Sequence, residues 1–219
     1  MRLPDSELTC PEQGPSSLGV VTETVAGYDH IAAGYAARWA GLRLERALGA
    51  FVGQIGGRRR VLDLGCGPGR DVGFLTELGC QVVGLDLSNG MLAQARQRQP
   101  GARLVRGDLR RSPLVSDSFD GIWASASLLH LPRTQLPLSL VEMTRLLRRP
   151  TGVLYLALKG GHGERWVTGR GDMRKFFAYY QPAEIQTLVH DAGFQALESW
   201  LSADQAGRDE PWINIIASL

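Results

Sequence analysis

The chain has 219 residues, 44% of them hydrophobic and 21% charged, with a formal net charge of +2. That length suits one α/β domain with a sizeable core and would cramp two, and the composition is that of a folded globular chain rather than a disordered one. The small net charge excludes a strong polyanion-binding field, although a sequence pI of about 8.6 leaves room for a local basic patch.

In chain order, residues 1–22 are rich in proline, glycine and serine (Pro4, Pro11, Gly14, Pro15, Ser16, Ser17, Gly19) and read as a flexible tail. From Thr24 to Phe51 apolar residues recur at threes and fours, the spacing of helices, with Gly41 between two of them. From Arg60 strands and helices alternate. Val61–Leu64, Val82–Leu85, Ala102–Val105, Phe119–Trp123 and Val153–Leu158 read as five strands. Asn89–Arg98 and Leu136–Leu147 read as helices between them. Alternation at this spacing predicts a parallel sheet with right-handed crossovers. A helix after Pro182 runs to about Gly193, and Phe194–Leu201 and Trp212–Ala217 read as a closing antiparallel hairpin. The expected fold is a Rossmann-like three-layer α/β sandwich, its seven-stranded, mostly parallel sheet ending in that hairpin. The folded domain spans 23–219, with an N-terminal helical region over 23–56 and an insert over 159–181. No segment approaches a membrane span, and cytoplasmic location is expected.

The three cysteines, Cys10, Cys66 and Cys80, fit neither a zinc site nor a disulfide framework and are read as reduced, buried thiols; no metal is expected.

The most informative stretch is Val61-Leu-Asp-Leu-Gly-Cys-Gly-Pro-Gly-Arg-Asp71, where an apolar strand runs into Gly65, Gly67 and Gly69 and then a helix. Glycines let the backbone turn sharply and approach a ligand with no side chain in the way. A glycine loop alone is a weak signal. Two acids strengthen it. Asp63 stands two residues before Gly65, where a carboxylate suits a ligand bearing positive charge, whereas a dinucleotide pyrophosphate calls for a helix N-terminus. Asp86 ends the second strand, where it can accept from both hydroxyls of a ribose; its other reading is a helix N-cap, a role that falls more naturally to Ser88.

At this point the sequence resembles the class I S-adenosylmethionine-dependent methyltransferases, in particular the small-molecule group that includes the quinone-biosynthesis methylases, over about residues 24–219. The resemblance implies S-adenosylmethionine as cofactor. It sets the glycines beneath the methionine part of the donor, Asp86 on its ribose, and Leu87 and Met91 beside its adenine. Asp108 then accepts from the adenine amino group and Leu109 completes adenine recognition, while Ser125 lies where a backbone carbonyl receives the donor ammonium. It makes the first helical region a lid, with Tyr28 and Tyr35 against the donor. Packing explains Met91, Tyr28 and Tyr35 equally well, and Asp108 also reads as a turn aspartate.

His130 falls at the mouth of the implied cleft. It reads either as a catalytic general base, since a histidine titrates near neutral pH, or as a packed anchor. The insert after the fifth strand carries Trp166, Arg174, Tyr179 and Tyr180, read as substrate contacts, with Arg165, Arg170 and Lys175 as further cations; the alternative is a solvated loop followed by an aromatic strand packing on the sheet. The expected activity is methyl transfer to an oxygen or nitrogen of a small-molecule acceptor. A second, weaker resemblance is to methyltransferases that modify wobble uridine in tRNA, which would turn the insert's arginines toward phosphate. Two other classes remain: a nicotinamide-dependent oxidoreductase, disfavoured by Arg70 where the dinucleotide fingerprint places its last glycine, and a non-catalytic protein that keeps the donor fold.

Overall fold

A computed structural model of the chain describes residues 17–56, 59–168, 173–204 and 207–219. Cys10, Arg170 and residues 1–16 of the expected tail lie outside them.

Two helices, α1 (Ser17–Arg38) and α2 (Glu45–Gln54), precede the alternating region. There β1 (Arg60–Leu64), α3 (Arg70–Glu77), β2 (Gln81–Asp86), α4 (Asn89–Arg98), β3 (Arg103–Arg106) and β4 (Gly121–Ser125) follow one another. The chain continues through α5 (Leu136–Leu146) and β5 (Val153–Gly160), then β6 (Glu164–Thr168) and β7 (Arg174–Tyr180). It closes with α6 (Pro182–Asp191), β8 (Gln195–Ser202) and β9 (Trp212–Ser218). One expectation fails at the start: residues 17–22, read as tail, are helical, and Val20 and Val21 are buried. Glycine and β-branched residues make that run a poor helix by propensity, and burial against the sheet overrides it.

The spatial order is β3-β2-β1-β4-β5, all parallel, followed by β9 antiparallel to β5 and β8 antiparallel to β9. Those seven strands are the expected sheet. A second hairpin was not foreseen: β6 and β7 pair antiparallel, and β7 adds to the far end of β5 at Lys159–Tyr179 and Gly160–Tyr180. The insert is therefore mostly strand, its bulky aromatics favouring a pleated surface over an open loop.

Alternate residues of each parallel strand feed two cores, as the period of two requires. Leu62, Leu64, Ile122 and Leu154 pack with Leu140 and Met143 of α5 and Ile185 of α6 on one face. Val61, Val82, Trp123 and Tyr155 pack with Phe51 of α2 and Leu75 of α3 on the other. Trp123 stacks on Tyr155 with ring centroids 3.9 Å apart, and its indole N–H donates to buried Asp71 at 2.9 Å. Cys66 and Cys80 are free and buried, and burial pushes both thiols up, away from reactivity. Among the described residues no helix is long and apolar enough to cross a membrane.

The strand order reverses between β1 and β4, and the crevice at the carboxyl ends of such strands is where a doubly wound sheet binds its ligand. Helix α1 lies across that crevice. The Asp29 carboxylate accepts from the Ser88 hydroxyl at 2.6 Å and from the Gly90 N–H at 2.7 Å at the start of α4, and Arg98 donates to the Ala36 carbonyl at 3.0 Å. Ser88 is the N-cap of α4, accepting from the Met91 N–H, which frees Asp86 from that role.

Candidate active site

Gly65 and Gly67 have φ of +81° and +51°, which L residues with side chains avoid. A Cβ on Gly65 would come within 2.3 Å of the Ser127 Cβ, whereas a Cβ on Gly67 would meet nothing within 4 Å. The backbone at Gly67 thus faces open space. Gly69 differs from its expected role: it does not line the cleft, and a Cβ there would press 3.1 Å from Ala95, so it lets α3 and α4 approach.

The cleft is lined by most of the expected donor residues: Tyr28, Tyr35, Asp63, Gly65, Gly67, Asp86, Leu87, Met91, Asp108, Leu109 and Ser125. The Asp86 carboxylate accepts from the Gly67 N–H at 2.8 Å and the Ser88 N–H at 2.9 Å, so one side chain fixes the glycine loop and the start of α4 together. Burial raises its pKa against those hydrogen bonds. Asp63 is more exposed to cost: it is 2% solvent-accessible, and its Oδ2 has no hydrogen-bond partner. Burial first, then the neighbouring Asp71, raises its pKa well above the carboxylate range. A buried acceptor left open, beside backbone with room for a ligand, fits a donor that brings a cationic group. The Ser127 hydroxyl, on the same cleft, is also unpartnered.

Asp108 is less free than expected. Arg110 grips its carboxylate from both the backbone N–H, at 2.9 Å, and the guanidinium. Burial acts to raise the Asp108 pKa, but the Arg110 hydrogen bonds outweigh it and hold the carboxyl low. Arg110 in turn reaches Gln135 at 2.6 Å. Asp108 therefore stays ionised, with lone pairs beyond those Arg110 uses still facing the cleft.

His130 holds both ring nitrogens in hydrogen bonds. Nδ1 lies 2.8 Å from the Phe176 carbonyl, which can only accept, so Nδ1 carries the proton. Nε2, the acceptor, takes the Tyr28 hydroxyl at 2.7 Å. Burial, with the charge on Lys175 adding to it, pulls the pKa down to about 4 against the Phe176 bond. This geometry latches α1 to β7 through Tyr28, the anchor reading rather than the free base.

The substrate residues expected from the insert need correction. Trp166, Arg174, Tyr179 and Tyr180 line neither this cleft nor the larger cavity beside it. Trp166 packs edge-on against Phe176 with Arg174 over its ring, and Arg174 pairs with Glu23. Arg165 covers Tyr179, and Tyr180 is fully buried beneath Arg133. Lys175 and Phe177 of β7, with Met173 just before it, line the cavity instead, while Tyr179, on the same alternate face, stacks on Phe177 under Arg165. That cavity, about 920 Å³, shares Tyr28, Tyr35, Trp39, Ser125 and His130 with the donor cleft, which under α1 encloses only about 160 Å³. Trp39, Arg70 and Ser127 were also missed. Helical spacing from Tyr28 and Tyr35 could have flagged Trp39, but no local signal marks Ser127, which reaches the site only through the left-handed turn at Ala126 (φ +56°).

Comparisons with known proteins bear on the domain as a whole. Residues 61–152 match the family model described as a methyltransferase domain. The malonyl-[acyl-carrier protein] O-methyltransferase of Enterobacter lignolyticus is 39% identical over 112 residues, 50% of this chain and 43% of that protein. The demethylmenaquinone methyltransferase of Beutenbergia cavernae is 39% identical over 111 residues, 51% of this chain and 43% of its own. The chain thus spans less than half the length of each of these relatives. A crystal structure of Burkholderia thailandensis 1,6-didemethyltoxoflavin-N1-methyltransferase, with bound 1,6-didemethyltoxoflavin and S-adenosylhomocysteine, superposes with a TM-score of 0.75. That superposition covers 99% of this chain and 97% of that one at 19% identity, a likeness of fold. The nicotinamide reading gives way to these matches. Taken with the glycine loop, the acids that end β1 and β2 and the strand order, they make the chain similar, over its donor-binding half, to class I S-adenosylmethionine-dependent methyltransferases.

Proposed function

We propose that the chain transfers a methyl group from S-adenosylmethionine to an oxygen or nitrogen of a small-molecule acceptor. The observation that carries this reading is the adjacency of two spaces: a narrow cleft walled by Asp63, Gly67 and Asp86, and a cavity of about 920 Å³ that shares Tyr28, Ser125 and His130 with it. That volume suits a metabolite-sized molecule.

Bound in the cleft, S-adenosylmethionine supplies an electrophilic methyl group on a positively charged sulfur. Asp63 offers its open Oδ2 to the ammonium end, and Asp86 offers its remaining lone pairs to the ribose hydroxyls. Leu87 and Met91 wall the adenine side, with Asp108 and Leu109 at its edge. Helix α1 excludes water, and Tyr28 and Tyr35 place aromatic edges between cleft and cavity. With both His130 nitrogens engaged, the chain's main contribution is alignment of the acceptor atom, not proton removal by His130.

The insert's arginines favour a small acceptor over tRNA. Arg165 pairs with Glu210 at 2.6 Å and Arg174 with Glu23 at 3.5 Å, so these two guanidinium groups are partly neutralised rather than held out for phosphate. The test is incubation with methyl-labelled S-adenosylmethionine, a low-molecular-weight metabolite pool and unmodified tRNA in parallel. Label in the small-molecule fraction is expected. Label in tRNA alone would favour the tRNA reading, and label in neither, with donor bound, would contradict both.

A further inference from the structure

The larger cavity has an unbalanced charge. Six of its lining side chains are cationic, Arg38, Arg43, Arg46, Arg70, Lys175 and Arg208, against the carboxylates of Glu45 and Asp204. Arg43 is paired with Glu45 and Glu77, Arg70 with Asp71, and Arg46 lies over the Trp200 ring. Asp204 is held by Lys159 at 2.9 Å, leaving Arg208 at 3.8 Å from it. Lys175 and Arg38 form no ion pair among the described residues.

Lys175 is the sharpest case. It comes from the cavity-facing register of β7, and its Nζ sits 4.5 Å above the Tyr28 ring and 4.9 Å above that of Tyr35. These π faces tolerate an ammonium but accept no ordinary hydrogen bond from it. Burial, then Arg208, then Arg38 pull its pKa down to about 8. Three cations thus converge on one wall of a partly enclosed space. Holding like charges together away from water is costly unless a counter-charge arrives. Lys175 lies over Tyr28, which with His130 lines both cavity and donor cleft, and the cavity lining also includes Tyr155, Trp200 and Trp212.

Resting on the methyl-transfer reading, we propose that the acceptor is an anionic, ring-sized small molecule whose carboxylate or phosphate is gripped by Lys175 together with Arg38 and Arg208. The anion then fixes which end of the acceptor points to the donor, and the aromatic lining holds its apolar body.

Lys159 and Lys175 are the only lysines, so ε-carbon-labelled lysine gives one NMR signal from each, assigned with Lys175→Arg. The labelled protein, with and without saturating S-adenosylhomocysteine, is titrated with benzoate, phenyl phosphate and neutral benzamide. The Lys175 signal is expected to move saturably with benzoate or phenyl phosphate, whichever binds naming the anion class, and to stay fixed with benzamide. Arg208→Gln is expected to weaken that binding about tenfold. A Lys175 signal unmoved by either anion, or moved as strongly by benzamide, overturns the anion site. S-adenosylhomocysteine affinity is read on the same samples, so its loss would count against the methyl-transfer reading alone.

Discussion

The two halves of the cleft are built on different principles. On the proposed donor side, the ends of β1, β2 and β3 and the turns after them supply Asp63, Gly67, Asp86 and Asp108, each within three residues of a strand end. On the acceptor side the wall is assembled from α1, β7 and the chain before β9, residues far apart in sequence such as Tyr28, Lys175, Arg208 and Trp212. On the proposed function, the donor would be held by local backbone geometry, and the acceptor by side chains that long-range packing brings together. Substitutions on the donor side should therefore abolish binding through the backbone. Those on the acceptor side should act by charge and fit.

The largest effect is expected at Gly67. Gly67→Val puts a branched side chain into space that is open toward the cleft and onto a backbone with φ of +51°. Calorimetry should show S-adenosylhomocysteine binding abolished, with a stability loss of about 1–2 kcal/mol by thermal melting. A folded variant with wild-type affinity would show that the loop does not cradle the donor.

Asp63→Asn separates binding from stability. The amide oxygen can still accept from the Val72 N–H, but a buried, poorly compensated carboxylate is removed. The ligand-free protein should melt higher, while donor affinity falls by about 1–3 kcal/mol, the scale of a lost hydrogen bond between charged groups. Lower stability with unchanged affinity would reverse the assignment.

The same contrast governs what the sequence revealed. The loop from Val61 to Asp71 and the acid at Asp86 are legible because a fixed ligand demands particular residues at fixed spacing along one stretch of chain. The parallel strands are legible because burial on both faces makes them continuous apolar runs, as in Val82-Val-Gly-Leu. The β6 half of the insert was not read as strand because glycines surround it at Gly160, Gly161, Gly163 and Gly171, whereas its aromatic second half, β7, was open to a strand reading. Trp166, Arg174, Tyr179 and Tyr180, expected on the substrate wall, line neither space, because residue type alone cannot say which side chains the fold turns inward. Lys175 and Phe177 do line the cavity, and Tyr179, two residues further along the same face of β7, does not.

At the junction of the two halves, His130 should behave as a latch. Its pKa is pulled from 6.5 to about 4 in the folded protein, so the unfolded chain binds more protons between those values. Stability conferred by the neutral imidazole is complete above about 6.5 and is lost as pH falls toward about 4. His130→Ala should flatten that acid limb in melting curves and loosen α1. With a true acceptor in hand it should not remove a histidine-like limb from the rate–pH profile. Loss of such a limb at unchanged donor affinity would restore His130 as the general base.

The smallest effect is expected away from the cleft. Tyr180 is fully buried and its hydroxyl has no hydrogen-bond partner. Tyr180→Phe should leave donor binding unchanged and alter stability by no more than about 1 kcal/mol, in the stabilising direction. A marked loss of acceptor turnover would return Tyr180 to the substrate wall.

The central claim is that the cleft at the ends of β1 and β2, under α1, holds an adenosyl donor through Asp63, Gly67 and Asp86. Calorimetry of the unaltered protein with S-adenosylmethionine, S-adenosylhomocysteine and NAD tests it most directly. Saturable one-to-one binding of both adenosyl ligands, with none of NAD, is the predicted result. Binding of NAD with neither adenosyl ligand would contradict it.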